Sequence, residues 1–465
     1  MLIPRGLATR HCVRLELGDD SRLHYRGEGN AALVVAVSDV SDVIAEQTVI
    51  RLFKQTPDTP CEGSANRIAR QIQFVESVIA PALSPAFHCP PRLALLSEDQ
   101  IRAIDRLVRD KRPRFRLAKG IVTCGDTYAL LLEDYCWLPT CLRRRGFATE
   151  GPVVCVEIKP KQGFLPKPEV LSEELRVKAR VCRYCLKQFR KLSKHSIARR
   201  SQYCPLDLFS GCPHRTQTAL RALVEDPQNN FRVFRDGRHV FGDDTNFALP
   251  TLLRDFCGQS EADVVPALCR LLANALALRV DVNRKRPPMS APAEECALHP
   301  HRCACNGGGE HALAVGSVLE AVLWAQRLDC VDSKLASDML RTMSEKENNN
   351  FLHFSCPPNA KELVREDVPH ESELESLQRK VYQFLVSLTA KDCSIMIAMQ
   401  RLRANEDVSQ VPECHLLSDS RNKYLVSIRV TDLDEKETKK IERTLLKDRR
   451  MISAYNAYNS AQSLL

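Results

Sequence analysis

The chain of 465 residues is poor in aromatic side chains, at 6% with only two tryptophans. Proteins that read single-stranded nucleic acid stack bases on such rings, so the scarcity argues against that partner. No apolar run approaches the length of a membrane span, and the first residues lack a signal-peptide core. Arg5, Arg10 and Arg14, with no acid among them, faintly imitate a mitochondrial transit peptide, but the stretch is short and contains no serine. There is no internal repeat, no Walker A sequence, no His-Arg-Asp and no Asp-Phe-Gly; Asp255-Phe256-Cys257 is a chance near-miss. A P-loop enzyme and an ordinary protein kinase are thereby excluded.

What is present bounds the rest. The length can hold two or three lobes with a sizeable core. A hydrophobic content of 44% with 27% charged residues is ordinary for a globular protein. The 67 basic and 58 acidic residues leave a net charge of +9, which suits an anionic ligand without requiring nucleic acid. Twenty cysteines without secretory targeting point to a reducing compartment, with free thiols or metal sites rather than disulfides. We therefore expect a monomer, away from membranes, in cytoplasm and nucleus.

The most informative stretch runs from Val156 to Pro166. Val153 to Ile158 form an apolar strand, and Lys159 and Lys161 follow on one side of an extended backbone, with Pro160 between them and Gly163 and Pro166 ending the element. Two pre-oriented ammonium groups suit a polyphosphate; solvated charges at a strand end are the plainer reading. Further strands are expected at 23–25, 32–37, 49–53, 128–132, 393–399 and 423–430. Helices are expected at 64–82, 98–111, 172–192, 216–226, 263–279, 314–342 and 371–387, with a basic helix at the end. Residues 283–312, rich in Pro, Gly, Cys and His, read as a loop or insertion, and 343–362 as irregular.

Several clusters could carry chemistry. Gly27-Glu28-Gly29-Asn30 lies between two strands, where glycines let backbone N–H groups approach phosphates. Arg51 and Lys54 follow on the next strand. Arg183, Lys187 and Lys191 recur at i, i+4, i+8, on one helical face. Asp392, and Asp432 with Asp434, flank two strands whose opposite directions would bring these carboxylates within reach of one metal. Cys182-x-x-Cys185 with Cys204 has zinc spacing, with Cys212, His195 or His214 as the fourth ligand. Cys296, His299, His301, Cys303, Cys305 and His311 form a second, irregular group.

Glu157-Ile158-Lys159-Pro160-Lys161-Gln162-Gly163-Phe164-Leu165-Pro166 closely resembles the signature of the inositol-pentakisphosphate 2-kinases. Other blocks of that family follow in its order: Tyr25 to Asn30, Tyr203 to Gly211, Gln228 to Phe234, Thr389 to Met396, and Asp432-Leu433-Asp434. The resemblance implies an α+β, bilobal, kinase-like fold of the inositol-phosphate type. It would have an antiparallel N-lobe over 1–134 and a larger C-lobe over 135–465 bearing a helical inositol-phosphate subdomain. It implies ATP and Mg2+, and transfer of a phosphoryl group to the 2-hydroxyl of inositol pentakisphosphate to give the hexakisphosphate. Gly27, Glu28, Gly29, Asn30, Arg51, Glu133, Asp134 (the hinge at adenine), Arg232 and Asp432 would serve the nucleotide. Arg116, Lys159, Lys161, Lys191, Asn229, Asn230, Lys436 and Lys440 would hold the small polyanionic substrate. Asp392 would be the acceptor-side base and, with Asp432, a magnesium ligand, with Lys159 assisting catalysis. Two positions depart from the family: Lys187 stands where His is usual, and Thr444 near a usual Tyr. The rival readings are an inositol-phosphate kinase of different acceptor position and a Cys/His-rich zinc protein that binds nucleic acid.

Overall fold

Alternating apolar residues build the first of two sheets, seen in a computed structural model. It describes residues 12–14, 23–29, 32–37, 47–55, 64–117, 121–122, 127–243, 245, 248–283, 295–299, 311–346, 363 and 371–462. The strands are β1 (Cys12–Arg14), β2 (Leu23–Glu28), β3 (Ala32–Val37), β4 (Thr48–Gln55), β5 (Arg92–Leu96), β6 (Ile121–Val122) and β7 (Thr127–Glu133). They run in the order β1-β5-β7-β4-β3-β2, with β6 on β4; β1 and β5 are parallel and the other pairs antiparallel. Leu33, Val35, Ile50 and Leu52 face one side, against Ile101, Ile104 and Val108 of helix α3 (Glu98–Arg109). Ala32, Phe53 and Leu130 face the other, against Ile68 and Ile72 of helix α1 (Ser64–Phe74). A period of two is what sends neighbours to opposite faces. Helix α1 runs on through a π-helical turn, Val75–Ile79, into α2 (Ala80–Leu83). Through Phe74, Val78, Leu83 and Phe87 this stretch joins the larger core of the second sheet.

The second sheet has the order β10-β9-β8-β11-β13-β12, antiparallel throughout. Its strands are β8 (Thr149–Ile158), β9 (Phe231–Arg235), β10 (Arg238–Phe241), β11 (Ser394–Leu402), β12 (Leu416–Ser418) and β13 (Lys423–Thr431). Central β8 and β11 are nearly unbroken apolar runs because both faces are buried. The helices that bear on the site are α4 (Arg183–Ser193), α5 (Pro205–Leu208), α6 (Pro213–Glu225), α7 (Leu249–Cys257), α8 (Glu261–Ala277), α9 (Val318–Gln326), α10 (Ser333–Lys346), α11 (Glu373–Ala390) and α12 (Lys439–Gln462). Among the described residues, no helix is long and apolar enough to cross a membrane. A mixed α+β protein with two antiparallel-dominated sheets is therefore established.

Two expected helices are broken. The stretch 172–192 divides into a 3-10 segment, Glu173–Ala179, and α4, because Cys182 is extended and its sulfur accepts from the Cys185 N–H at the helix start. The stretch 314–342 divides into α9 and α10 at Asp332. That carboxylate accepts the N–H groups of Lys334 (2.9 Å) and Leu335 (2.8 Å), and that of Ser172 at 2.7 Å. Helix α7, strands β1 and β5, and the β9–β10 hairpin are additional to the expected elements. Most of the expected insertion at 283–312, and 347–362, lie outside the described residues.

Candidate active site

Four strands of the second sheet put their ends together. The last residue of β8, Ile158, pairs with Ile395 of β11 and with Phe231 of β9, while Ser394 pairs with Thr431 at the end of β13. Antiparallel pairing thus brings Lys159, Asn230, Asp392 and Asp432, distant in sequence, to one edge. The Lys159 N–H donates to the Asn230 carbonyl at 2.9 Å, which closes that edge.

The two signature lysines reach neighbouring carboxylates, but not from an extended backbone. Lys161 has φ +62°, so the backbone turns after Pro160 instead of staying extended, and the expected shared side is corrected. Lys159 Nζ lies 2.5 Å from Asp432 Oδ2 and 3.5 Å from Glu157 Oε1. Lys161 Nζ lies 3.4 Å from Asp392 Oδ1, and Lys436 Nζ lies 3.6 Å from Asp392 Oδ2. Asp432 also has φ +62° and turns its carboxylate toward Ser394 Oγ, at 3.0 Å. Ser394 Oγ also lies 2.8 Å from Glu157 Oε1, so its single proton is shared between the two carboxylates, and Arg232 Nη1 sits 3.6 Å from Glu157 Oε2.

Both carboxylates remain open, with side chains 64% exposed at Asp392 and 50% at Asp432. Desolvation raises both, but cations win. Lys161, Lys436 and Lys159 lower Asp392; Lys159, Arg51 and the Ser394 hydroxyl hold Asp432 to about 2. Desolvation lowers Lys159, yet Asp432 and Glu157 raise it above an ordinary lysine; at Lys161 desolvation prevails and the ammonium is weakened. Both carboxyls are therefore ionised near neutral pH.

Beside this edge opens a cavity of about 1130 Å³. Its wall carries Lys161, Lys436 and Lys440, as anticipated, and Asp392 at its rim. Sequence reasoning did not single out Lys178, Arg190, Arg327, Lys391 and Lys447, which also line it; Lys187 and Thr444, the two departures from the family, line it too. Lys391 lies in the Thr389 to Met396 block, and Lys187 continues the i, i+4 spacing from Arg183; Lys178, Arg327 and Lys447 had no such signal. Lys187 opens onto the cavity, where desolvation and the charges of Lys161, Lys191 and Arg183 pull it down to about 8. Not every cation is available: Arg183 Nε and Lys178 Nζ each bond Asp448 at 2.9 Å, and Lys391 is paired with Asp329.

Other candidates lie elsewhere. Lys191 donates to Gln228 instead of lining the cavity. Asn229 is exposed; Asn230 is buried and its amide lies 3.4 Å from the Tyr184 hydroxyl. Arg116 lies on the single helical turn Arg114–Leu117, over the Phe115 ring at 5.1 Å. On the first sheet, Gly27 and Gly29 border the glycine turn, whose Asn30 is outside the described residues. Glu28 is sealed between Lys54 and Arg112, and Lys54 Nζ also donates to the Gly29 carbonyl at 3.0 Å. Arg51 pairs with Asp434 at 2.5 Å, tying the first sheet to the end of β13. Asp134 is buried on Arg26 and accepts the Cys136 N–H at 3.0 Å; Glu133 accepts from the Cys89 thiol at 3.0 Å.

The cysteine reading is corrected at its fourth member. The sulfurs of Cys182, Cys185, Cys204 and Cys296 lie within 4.8 Å of one another, all buried. Cys212 is buried outside this group, and His195 and His214 are exposed on the surface. Cys296 reaches in because the Glu295–His299 segment packs back on α4: the Ala297 N–H donates to the Arg180 carbonyl at 2.9 Å and the Cys182 N–H to Cys296 Sγ at 3.4 Å. A contact over 114 residues left no trace in local spacing.

The sequence pattern of inositol-pentakisphosphate 2-kinase matches residues 25–450. This chain belongs to the inositol-pentakisphosphate 2-kinase family. Curated relatives so named agree along most of their length. The protein of Danio rerio is 28% identical, over 95% of each chain. That of Arabidopsis thaliana is 28% identical, over 97% of this chain and 96% of its own. That of Oryza sativa subsp. indica is 27% identical, over 75% of this chain and 69% of its own.

Proposed function

We propose that the protein transfers the γ-phosphoryl group of ATP to the 2-hydroxyl of inositol 1,3,4,5,6-pentakisphosphate, giving the hexakisphosphate. One observation carries this reading: a cavity walled by lysine and arginine whose lining includes the open, ionised Asp392, with Asp432 at the neighbouring strand end. Each phosphate monoester bears roughly −1.5 to −2 charge near neutral pH, so five of them need many cations. Bonds from charged donors to such oxygens are the strong ones.

The residues divide the work. Lys161, Lys187, Lys436 and Lys440 bind and orient the polyanion so that its free hydroxyl faces Asp392, which accepts the hydroxyl proton. Asp392 and Asp432 are the hard oxygen donors that suit Mg2+, and the buried Asp434 Oδ1, which has no hydrogen-bond partner among the described residues, adds a third. The metal, when bound, supplies charge neutralisation on the transferring phosphate. Lys159, pinned by Asp432 and Glu157, is set to bear on the same phosphate. The Gly27–Gly29 turn, Arg51 and Arg232 serve the nucleotide directly. Glu28 and Asp134 serve it from behind, their carboxylates bound to Lys54, Arg112 and Arg26.

The four-cysteine cluster is proposed as a structural zinc site. Tetrahedral zinc with sulfur at about 2.3 Å sets sulfurs about 3.8 Å apart; the Cys182 and Cys204 sulfurs are 4.0 Å apart. Zinc there would hold α4, and so Lys187, in place. Elemental analysis should find one zinc per chain, lost in Cys182→Ser/Cys185→Ser; a metal-free protein sinks the site.

Turnover of the purified protein with ATP, Mg2+ and a panel of inositol phosphates, with products mapped by NMR, tests the activity. Phosphate should appear on the 2-position of the pentakisphosphate. Transfer to another position, or none, would overturn the reading.

A further inference from the structure

The Lys161–Asp392 pair is held at 3.4 Å by loops that share no strand pairing of their own. Residues 159–163 leave β8, and residues 391–393 join α11 to β11. One side chain touches the first of them and the end of α11, from which the second departs. Gln326, the last residue of α9, is completely buried and absent from the cavity wall. Its Nε2 donates to the Lys161 carbonyl at 2.7 Å and to the Ala390 carbonyl at 3.3 Å. Its Oε1 accepts the Gly163 N–H at 2.9 Å. Its own carbonyl accepts from Ser387 Oγ of α11 at 2.8 Å, so the clamp is itself fixed to the helix that leads to Asp392.

The geometry demands such a clamp. Lys161 is a non-glycine residue in the left-handed region, a conformation that persists only where the surroundings over-determine it. Gln326 holds the residue's carbonyl from one side, and the Tyr203 hydroxyl holds the Pro160 carbonyl at 2.7 Å from the other. A buried amide with three of its hydrogen bonds made has no freedom to drift.

We infer that Gln326 is a positioning residue for phosphoryl transfer: it sets the Lys161 ammonium against the Asp392 carboxylate without touching substrate. This rests on the assignment of Asp392 and Lys161 to the reaction. A displacement of about 1 Å at a reacting group can cost on the order of 10²-fold in rate.

The test is steady-state kinetics on folded, full-length Gln326→Met, which keeps the side-chain length and removes all three side-chain hydrogen bonds. We expect kcat to fall about tenfold to 10²-fold while the KM for ATP stays within about twofold. On a Lys161→Ala background the same substitution should cost no more than about threefold, since residues acting through one another are not additive. A residue that merely supports the fold would lower kcat by the same factor on both backgrounds. A folded variant with kcat within about twofold of the parent, or with full multiplicative loss in the double variant, overturns the inference. Should Gln326→Met not fold, Gln326→Glu serves with the same readouts: it keeps the acceptor for Gly163 and turns carboxylate oxygens on the two carbonyls. Near-parental activity in Asp392→Asn would bring down the underlying assignment; an inactive Asp392→Asn beside a normal Gln326 variant brings down this inference alone.

Discussion

Two carboxylate sites in this molecule use the same partners to opposite ends. Glu28 is met by Lys54 and Arg112, and all three side chains are at most 1% exposed. Asp392 and Asp432 are met by Lys161, Lys436 and Lys159, yet half or more of each carboxylate's side chain faces open space. In the first site the charges are sealed from water, Arg112 being met also by Asp105 at 3.6 Å, so it holds the glycine turn to the strand behind it. In the second the lysines leave half or more of each side chain exposed, so the ionised oxygens stay open to a metal or a proton. Exposure, rather than residue type, separates a structural ion pair from a reactive one.

The largest expected effect lies at the open site. Asp392→Asn should retain its fold and ATP binding and lose about 10²–10⁴ of turnover, the usual cost of a positioned base. Kinetics beside a thermal melt decide it; near-normal turnover would erase the distinction between the two sites.

At the sealed site the effect should fall on stability. Glu28→Gln takes the carboxylate away from the buried Lys54 and Arg112, and breaking a buried pair typically costs about 3–5 kcal/mol. Desolvation pushes Glu28 up, but hydrogen bonds from Arg112 and Lys54 hold it below the ordinary range. Its folded value is thus the lower one. The stability it contributes is complete above the unfolded pKa and is lost as pH falls through the folded one. Urea unfolding at neutral and acid pH should show a deficit in the variant that narrows in acid. A deficit that does not change with pH would show that the cage is held by packing instead of charge.

Substitutions of the site lysines should act on binding. Lys159→Ala and Lys161→Ala should each weaken inositol pentakisphosphate more than ATP, and most at low salt, where charge contacts are least screened. Parental affinity for the polyanion, by calorimetry, would mark that lysine as a surface charge.

The smallest effect is a proton. Lys187, at about 8 in the free protein, is partly neutral at that pH, and a polyanion beside it restores the charge. Binding near pH 8 should therefore take up a fraction of a proton, visible when calorimetric enthalpies are compared across buffers of different ionisation heat. Lys187→Gln should abolish that uptake; an unchanged value would place the titrating group elsewhere.

The sequence by itself determined a good deal. Short apolar runs located β2, β3, β4 and β7 of the first sheet and β8, β11 and β13 of the second, because such a run is a local signal. It placed Asp392 and Asp432 at the ends of antiparallel strands, and Ser394 does pair with Thr431 there. Motif-length blocks identified the family. Only the tertiary structure decided which cations face one cavity: Lys178 and Lys447 are 269 residues apart and reach it on elements joined by packing, with no local pattern linking them. It decided that the backbone turns at Lys161, since a positive φ is imposed by partners such as Gln326 and not by the residue itself. It decided that Cys296, and not Cys212, completes the thiol cluster. It decided as well that Glu28 is sealed while Asp392 is open. Burial is a property of everything packed around a residue, and a one-dimensional pattern carries only what its near neighbours impose.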